Sequence, residues 1–370
     1  MSGQPRKTRV AVVFGGRSSE HAVSCVTAGS VLAALDRDVY DVVPVGITRE
    51  GRWVLAPDEP EKLAITAGRL PEVDEGGTSV VLVNDTGSHE IVVRHPGQVP
   101  QTFGEVDVVF PLLHGPYGED GTVQGLLEMA GVPYVGSGVF ASAAGMDKHY
   151  MKVVLAGAGL PIGPYVVVRP REWLDDKAAV RESVAALGWP VFVKPARGGS
   201  SIGISRVDGP AELGDAVEEA RRYDPKVIVE AQLEGREIEC GVLEDDEGRP
   251  VASLPAEVRV HGTHAFYDFE AKYLDEGTDL DVPADLPDAA VEQVQRLALA
   301  AFDALSCEGL ARVDFFSTTE GRLVVNELNT MPGFTPASMF PRMWAASGVD
   351  YPALVNRLLG AALRRSTGLR

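Results

Sequence analysis

The chain has 370 residues, which allows two or three domains at roughly 100–200 residues each. Hydrophobic residues make up 45% of it and charged residues 24%, a composition that excludes intrinsic disorder and supplies enough apolar material for a sizeable core. Thirty-four basic against 53 acidic residues leave a formal charge of −19. This negative charge argues against a nucleic-acid partner, although a single bound nucleotide needs only a few well-placed lysines.

Cysteine usage and apolar runs indicate the cellular compartment. Cys25, Cys240 and Cys307 are far apart and form no CxxC pair, which is typical of buried thiols in a reducing compartment. The apolar run at residues 10–14 is too short for a signal peptide, and no segment approaches the roughly 18 apolar residues of a membrane span. We therefore expect a cytoplasmic protein with no membrane partner.

Predicted strands and helices alternate through the first part of the chain. A strand at 10–14 stops at Gly15-Gly16, and a helix follows that Ser18 or Ser19 can cap. Further strands are predicted at 41–47 and 106–113, a helix at 122–130, and an acidic surface excursion at 56–78. This alternation predicts an open parallel α/β domain over residues 1–140, with helices on both faces of the sheet.

The rest of the chain has a mixed α+β pattern in which strands dominate. Helices are predicted at 151–158, 171–187, 289–305 and 352–363. Strands are predicted at 166–168, 191–195, 202–207, 227–230, 237–243, 251–260, 311–317 and 322–328. A long polar loop spans residues 261–281, and loops of that length in compact domains usually serve function. We predict a central lobe over 141–230 and a C-terminal lobe over 231–370.

The strongest local signal is the segment Lys194-Pro-Ala-Arg-Gly-Gly-Ser-Ser-Ile-Gly203. A lysine ends one predicted strand, and a Gly/Ser turn leads into the next. Such a turn can surround phosphate oxygens with backbone N–H groups while the lysine supplies positive charge. The flanking strands and the missing Gly-Lys-Ser/Thr exclude a Walker A loop. The alternative interpretation is an ordinary glycine-rich hairpin.

A second constellation lies on two neighbouring strands near the C-terminus. Because side chains alternate along a strand, Arg312 and Asp314 share one face, and Glu327 and Asn329 share one face of the next strand. Two carboxylates and an amide oxygen are ligands that suit Mg²⁺, which is often shared with substrate phosphates. The alternative is a salt-bridge ladder on the surface.

For four further candidate residues, the local sequence pattern does not decide between a functional and a structural role. Glu20 lies in the first turn of a helix directly after a strand, where open α/β folds bind ligands, or it only complements the helix dipole. The loop that begins at His114 follows another strand and should open on the same crevice, where a lone histidine is more often structural than catalytic. Glu237 is either a ribose-binding carboxylate or half of a surface pair. Lys272 in the polar loop is, taken alone, a solvated lysine.

Seven motifs in this order resemble those of one family. They are Gly-Gly-x-Ser-x-Glu-His-x-Val-Ser at 15–24, His114-Gly with Gly-Glu-Asp-Gly at 118–121, Met146-Asp-Lys148, the Gly/Ser loop at 194–203, Phe266-Tyr-Asp-Phe-Glu-Ala-Lys-Tyr273, Arg312-Val-Asp314 and Asn326-Glu-Leu-Asn-Thr-Met-Pro-Gly333. The chain resembles the D-alanine–D-alanine ligases of the ATP-grasp superfamily from about residue 8 to 360. The resemblance implies an ATP-grasp fold, with ATP between the central and C-terminal lobes.

The resemblance also implies how the nucleotide and metal are held. Lys148, Lys194 and Lys272 would contact the ATP phosphates, Glu230 the adenine side and Glu237 the ribose. Ser201 and Tyr267 complete the implied nucleotide-binding set. Asp314, Glu327 and Asn329 would bind two Mg²⁺ ions, which Mn²⁺ could replace.

For the substrates, the resemblance implies two molecules of D-alanine joined through a D-alanyl phosphate, for peptidoglycan precursor synthesis. Glu20 would bind the ammonium of the first D-alanine and form a hydrogen-bonded set with Ser200 and Tyr273 that closes the lid, and His114 would lie near this substrate. Arg312 and the Gly333 N–H would stabilise the oxyanion, and Ser338 with Met339 would bind the second carboxylate. The family also implies a homodimer.

Three alternatives share part of this pattern. A D-alanine–D-lactate ligase would share the fold and the ATP residues, but its lid segment is rebuilt, whereas Glu270-Ala-Lys272-Tyr273 is intact here. Another ATP-grasp carboxylate–amine ligase would not need Glu20 and the His114 loop. A non-catalytic nucleotide-binding module would tolerate the loss of Arg312 or of a metal ligand, yet the full set is present.

Overall fold

The fold contains three β-sheets with helices packed around them. The computed structural model describes residues 6–66, 69–82, 89–94, 98–260 and 278–368. Within those ranges, no helix has the length and apolar character needed to cross a membrane. The expected α/β class is confirmed.

The first sheet has seven strands in the order β6-β5-β4-β3-β2-β1-β7. They are β1 Thr8–Gly15, β2 Tyr40–Ile47, β3 Trp53–Leu55, β4 Ser79–Leu82, β5 Glu90–Arg94, β6 Gln101–Glu105 and β7 Val108–Pro111. β1 runs parallel to β2 and β7, as predicted, and its last six residues are all buried, which is typical of a central strand covered on both faces. β2 to β6 pair antiparallel, so the sheet is mixed and extends further than the sequence indicated.

Helices α1 (His21–Ala34) and α2 (Thr122–Ala130) accompany this sheet, and α3 (Val139–Met146) contributes Ala141 and Ala144 to a separate core that also contains Leu328. α1 starts five residues after β1 ends, which places its N-terminus at the carboxyl edge of the parallel strands. α2 ends at Gly131 because that residue has φ +69°, a left-handed conformation that glycine adopts without strain. A 3₁₀ helix at Pro60–Leu63 interrupts the predicted excursion.

The second sheet is antiparallel and has the order β10-β9-β11-β8. Its strands are β8 Tyr165–Val168, β9 Val191–Pro195, β10 Ser205–Val207 and β11 Val227–Ala231, packed with helices α5 Pro170–Asp175, α6 Lys177–Ala185 and α7 Leu213–Ala220. The sequence predicted one helix where α5 and α6 stand. Asp176 separates them, because it leaves the helical conformation and its carboxylate caps α6 by accepting the Ala179 N–H at 3.0 Å.

The third sheet is also antiparallel, in the order β15-β14-β12-β16-β17, with β13 beside β12. Its strands are β12 Gly235–Glu244, β13 Pro250–Ala252, β14 Ala256–Val260, β15 Thr278–Asp281, β16 Leu310–Thr318 and β17 Leu323–Asn329. Four helices complete the described part of the chain: α4 Lys148–Gly157, α8 Asp288–Ala304, α9 Met339–Ala346 and α10 Tyr351–Arg364. Met151 and Leu155 of α4 share a core with Leu328 of β17, which holds α4 beside this sheet.

The hydrophobic cores show which parts of the chain pack together. One core joins Val10 and Phe14 of β1 to Phe334, Trp344 and Leu358 near the C-terminus. The second sheet has a separate core of its own, built around Trp173. The predicted domain boundaries at 140 and 230 stay a prediction; residue 230 lies inside β11.

Candidate active site

The three sheets surround one cavity of about 760 Å³. Its lining includes every predicted site residue that the structure describes: Glu20, His114, Lys148, Lys194, Ser200, Ser201, Glu230, Glu237, Arg312, Asp314, Glu327, Asn329, Gly333, Ser338 and Met339. Tyr267, Lys272 and Tyr273 fall outside the described residues. The cavity therefore brings together segments that are far apart in the sequence, while the individual roles stay predictions.

One end of the cavity holds a buried cluster of two lysines and a glutamate. The Lys194 Nζ lies 2.6 Å from one carboxylate oxygen of Glu230, and the Lys152 Nζ lies 2.9 Å from the other. Burial alone would raise the pKa of Glu230, but the two lysines outweigh it and hold that pKa far below its ordinary value. Burial would likewise lower the pKa of Lys194, and Glu230 reverses that shift. Both residues are therefore charged at neutral pH.

The Gly/Ser loop connects this end to the N-terminal part of the chain. Ser200 and Ser201 have φ values of +50° and +57°, so the loop turns sharply and β10 starts later than the sequence predicted. The Ser200 hydroxyl donates to the Glu20 carboxylate. A Cβ on Gly199 would lie 2.8 Å from a Glu20 oxygen, so a larger residue there would displace the Glu20 carboxylate. Lys148 donates to the Gly198 carbonyl at 3.1 Å. These contacts distinguish the loop from an ordinary hairpin.

The floor of the cavity is the polar face of β16 and β17. Arg312 lies opposite Asn329 and Asp314 opposite Glu327, so the four side chains meet as predicted from strand alternation. Arg312 donates to both oxygens of Asp314, each at 2.7 Å, and the Asn329 amide donates to Asp314 at 3.1 Å. Burial would lower the pKa of Arg312, but Asp314 and Glu239 hold it well above the ordinary value. The four residues line the cavity, unlike a surface ladder.

The donor set on this floor fits a hard divalent cation. Asp314 and Glu327 supply carboxylate oxygens and Asn329 an amide oxygen, the ligand types that Mg²⁺ prefers. No cluster of three or more His, Cys, Asp or Glu that could bind a metal occurs among the described residues, so the set depends on the asparagine oxygen as well. The Lys148 Nζ lies 3.3 Å from Glu327 and compensates its charge in the metal-free protein.

Glu20, His114 and Glu119 line another part of the cavity; His114 is buried, and Glu20 and Glu119 are half-buried. The His114 ring is 5% exposed; burial lowers its pKa and Glu20 partly opposes the shift. Glu119 accepts the Gly115 N–H at 2.6 Å. Burial raises the pKa of Glu119 to about 8, with a further contribution from the Glu20 charge. The Glu119 carboxyl therefore keeps its proton to a higher pH than an ordinary glutamate does.

The start of α9 borders the same cavity. Ser338 immediately precedes the helix, and its hydroxyl lies 2.9 Å from the Thr335 hydroxyl and accepts the Thr335 N–H at 3.2 Å. Met339 is buried, and Gly333 lies in the turn after β17. A helix N-terminus with a serine hydroxyl suits a carboxylate.

Four charged residues of the cavity were not singled out in the sequence analysis: Lys152, Glu119, Arg206 and Glu239. Lys152 stands four positions after Lys148 in α4, so helical spacing could have placed the two on one face. Glu239 stands two positions after Glu237 in β12, and strand alternation could have placed it on the same face. Glu119 lies inside a quoted motif, but nothing local showed that it would face Glu20.

The comparisons with known proteins cover almost the whole chain. The family model described as D-ala D-ala ligase N-terminus matches residues 9–137, and the one described as D-ala D-ala ligase C-terminus matches residues 154–360. The chain belongs to the D-Ala–D-Ala ligase family. This confirms the family that the seven motifs indicated.

Named relatives of this ligase family agree. The D-alanine–D-alanine ligase of Streptomyces griseus is 63% identical over 375 aligned residues, which cover 99% of this chain and 95% of the relative. A D-alanine–D-alanine ligase from Coxiella burnetii superposes with a TM-score of 0.81 and 34% identity, covering 97% of this chain and 94% of the other. The VanG D-Ala:D-Ser ligase from Enterococcus faecalis superposes with a TM-score of 0.83 and 34% identity, covering 96% of this chain and 100% of the other. Ligases described with different second substrates thus share this fold.

Proposed function

We propose that this protein joins two D-alanines into D-alanyl-D-alanine, with ATP converted to ADP and phosphate, for peptidoglycan precursor synthesis. The observation that carries the proposal is that one cavity is lined both by Lys148 and Lys194 and by Glu20. A carboxylate is a poor acyl donor, so a site that holds a phosphate donor beside an amino-acid subsite suits activation as a D-alanyl phosphate.

At the nucleotide end, the chain supplies cations and a deep carboxylate. Lys148 and Lys194 bind phosphate oxygens and neutralise charge during phosphoryl transfer. Glu230 faces the adenine side and Glu237 the ribose. Tyr267 and Lys272 join this set by resemblance to the family, and Ser201 lies in the loop that covers the phosphates.

On the floor, Asp314, Glu327 and Asn329 would hold two Mg²⁺ ions, for which Mn²⁺ can substitute. When bound, the metal supplies positive charge to the phosphate oxygens and orients them. The Lys148 Nζ lies 3.3 Å from Glu327, which supports a position for this lysine beside the same phosphates.

At the substrate end, Glu20 binds the ammonium of the first D-alanine, and His114 borders it. The hydrogen bond from Ser200 to Glu20 connects this subsite to the phosphate loop, and Tyr273 is proposed to join them from the lid. A closed lid excludes the water that would hydrolyse an acyl phosphate.

In the second step the neutral amine of the second D-alanine attacks the acyl carbon; the bond from that carbon to the phosphate oxygen breaks, phosphate leaves, and the nitrogen loses a proton as the peptide bond forms. Arg312 and the Gly333 N–H stabilise the oxyanion that develops there, because fixed donors aimed at developing charge lower the barrier. Ser338 and the start of α9 hold the carboxylate of this second substrate, with Met339 beside it.

The experiment is a competition for the second substrate. Purified protein receives ATP, Mg²⁺ and an equimolar mixture of D-alanine, D-serine and D-lactate, and mass spectrometry identifies the products. We expect D-alanyl-D-alanine, formed one-to-one with ADP, and no product when D-alanine is omitted. If D-alanyl-D-lactate or D-alanyl-D-serine predominates, the second substrate is D-lactate or D-serine and not D-alanine. ADP release that does not depend on D-alanine would contradict the ligase reaction. Sedimentation of the same sample tests the predicted homodimer.

A further inference from the structure

Three acidic side chains stand in register across the floor of the cavity. Glu239 of β12 is opposite Asp314 of β16, and Asp314 is opposite Glu327 of β17. Arg312 lies on the same face of β16, between the first two carboxylates. The side chains of Glu239, Arg312 and Asp314 are only 6%, 11% and 14% exposed. The charges of these three side chains are therefore compensated mainly by one another and less by water.

Asp314 has no oxygen free of a donor in this arrangement. Two N–H groups of Arg312 and the amide of Asn329 occupy its two oxygens. A metal ion bound to Asp314 takes lone pairs that these donors now use, so the guanidinium must give up part of its pairing. Arginine stays protonated in proteins, and a buried charge left without a partner is strongly destabilising.

Glu239 is the carboxylate in position to take over. Its Oε2 lies 3.2 Å from the Arg312 Nε, the same atom that donates to Asp314. We propose that Glu239 is a positioning residue that holds the Arg312 guanidinium in place when Asp314 turns to the metal. This inference rests on the proposed function, because it takes Asp314 as a metal ligand.

The test measures Mn²⁺ binding directly, by the electron paramagnetic resonance of free Mn²⁺, with the full-length protein saturated with ADP. In Glu239→Gln the guanidinium has no second acceptor of full charge and competes with the metal for Asp314. We expect the Mn²⁺ Kd to rise about tenfold. An unchanged Kd in a folded Glu239→Gln variant overturns the inference.

Glu257→Gln is the matched control. Glu257 is also a buried glutamate in the third sheet, with a side chain 7% exposed, and it pairs with both Arg236 nitrogens at 2.6 and 2.8 Å. It pairs with Ile238 in register, which puts it on the sheet face opposite Glu239. We expect Glu257→Gln to lose stability and to keep the wild-type Mn²⁺ Kd. A tenfold rise of the Kd in this variant would mean that the loss of any buried charge in the sheet weakens Mn²⁺ binding, and it would overturn the inference.

A change of background separates positioning from simple charge attraction. Removing a negative charge weakens metal binding at a distance whether or not Arg312 is present. In an Arg312→Met background, positioning predicts that Glu239→Gln changes the Mn²⁺ Kd less than about twofold, whereas simple attraction predicts the full tenfold effect, which would overturn the proposal.

Two further variants keep the outcomes distinguishable. Asp314→Asn should nearly abolish Mn²⁺ binding; if it does not, the metal assignment in the proposed function fails. If it does while Glu239→Gln binds like wild type, only the present inference fails. Should Glu239→Gln not fold, Glu239→Asp keeps the charge at a greater distance and is expected to raise the Kd about threefold, and no change there would overturn the proposal.

Discussion

Replacing Glu119 with glutamine tests the charge balance at the substrate end of the cavity. Burial, together with the nearby Glu20 charge, raises the pKa of the Glu119 carboxyl from 4.5 to about 8. The folded protein therefore keeps a proton that the unfolded chain releases near pH 4.5. The stabilisation linked to this proton is complete below pH 4.5 and is lost as the pH rises through about 8.

The size of the effect follows from that shift. A displacement from 4.5 to about 8 corresponds to at most ~5 kcal/mol, at about 1.4 kcal/mol per pH unit. Glu119 is only half-buried, so solvent screening reduces this to an expected ~2–3 kcal/mol. Glutamine keeps an oxygen for the Gly115 N–H and does not ionise. Glu119→Gln should therefore resemble wild type near about pH 5 and exceed its free energy of unfolding by ~2–3 kcal/mol at about pH 9.

The assay is urea unfolding followed by tryptophan fluorescence and circular dichroism across that pH range. Glu257→Gln is the control, because the hydrogen bonds from Arg236 lower the pKa of Glu257 and the stability they provide is lost only at acid pH. Its difference from wild type should be flat from about pH 6 to 9. A difference between Glu119→Gln and wild type that is equally flat would refute the conclusion that Glu119 is protonated in the folded state.

Three other substitutions test the nucleotide end and the floor of the cavity. Glu327→Gln should lower turnover about 10- to 100-fold even at saturating Mg²⁺ without unfolding the protein, and turnover within about threefold of wild type at saturating Mg²⁺ would contradict the metal assignment. Lys152→Met removes one of the two cations that contact Glu230 and should lower the free energy of unfolding in urea by ~1.5–3 kcal/mol. The control, Lys177→Met, removes the exposed pair with Glu218 and should lower it by less than ~1 kcal/mol. Equal losses would show that burial of the pair is unimportant. Arg312→Lys keeps the charge but not the planar fork, so it should melt close to wild type, bind ATP and form dipeptide at least about 30-fold more slowly; early unfolding with normal turnover per folded molecule would indicate a structural ion pair instead.

Strand alternation was sufficient to predict the floor of the cavity. Which side a side chain takes in a strand depends only on its position, so Arg312 with Asp314, and Glu327 with Asn329, could be placed together from sequence. The register then brought Asp314 opposite Glu327. Likewise, the β-branched run before Gly15 was enough to predict β1, because a strand buried on both faces needs no alternation.

Contacts between distant segments could not be predicted in this way. The pairing of Lys152 with Glu230 joins a helix to a strand of another sheet, and the raised pKa of Glu119 depends on Glu20. Ser200 and Glu20 are 180 positions apart, and only the family resemblance implied that they meet. Such contacts depend on how whole lobes pack, which no local pattern encodes.

The outer strands of the first sheet were missed for a different reason. β3 to β6 are three to five residues long, and in β4 and β5 buried positions alternate with more open ones over only a few residues. Periodicity does not distinguish runs that short from irregular structure. They are stabilised by pairing with neighbouring strands, of which only β3 pairs with the longer β2. The sheet is therefore mixed around a parallel centre.

Several charged residues of the cavity pair with one another. Lys194 is held by Glu230, Arg312 by Asp314 and Lys148 by Glu327, so each group proposed to bind ATP or metal has a protein partner to exchange. Binding at such a site replaces one pairing with another and does not have to create charge pairs from solvated ions, which limits the desolvation cost. For two of these pairs the structure also provides a second counter-charge: Lys152 stays on Glu230 when Lys194 turns to phosphate, and Glu239 stays on Arg312 when Asp314 turns to metal. Lys152 and Glu239 are buried charges that the predicted ligand set does not contain. This two-partner arrangement explains why each of them lies beside a residue of that set.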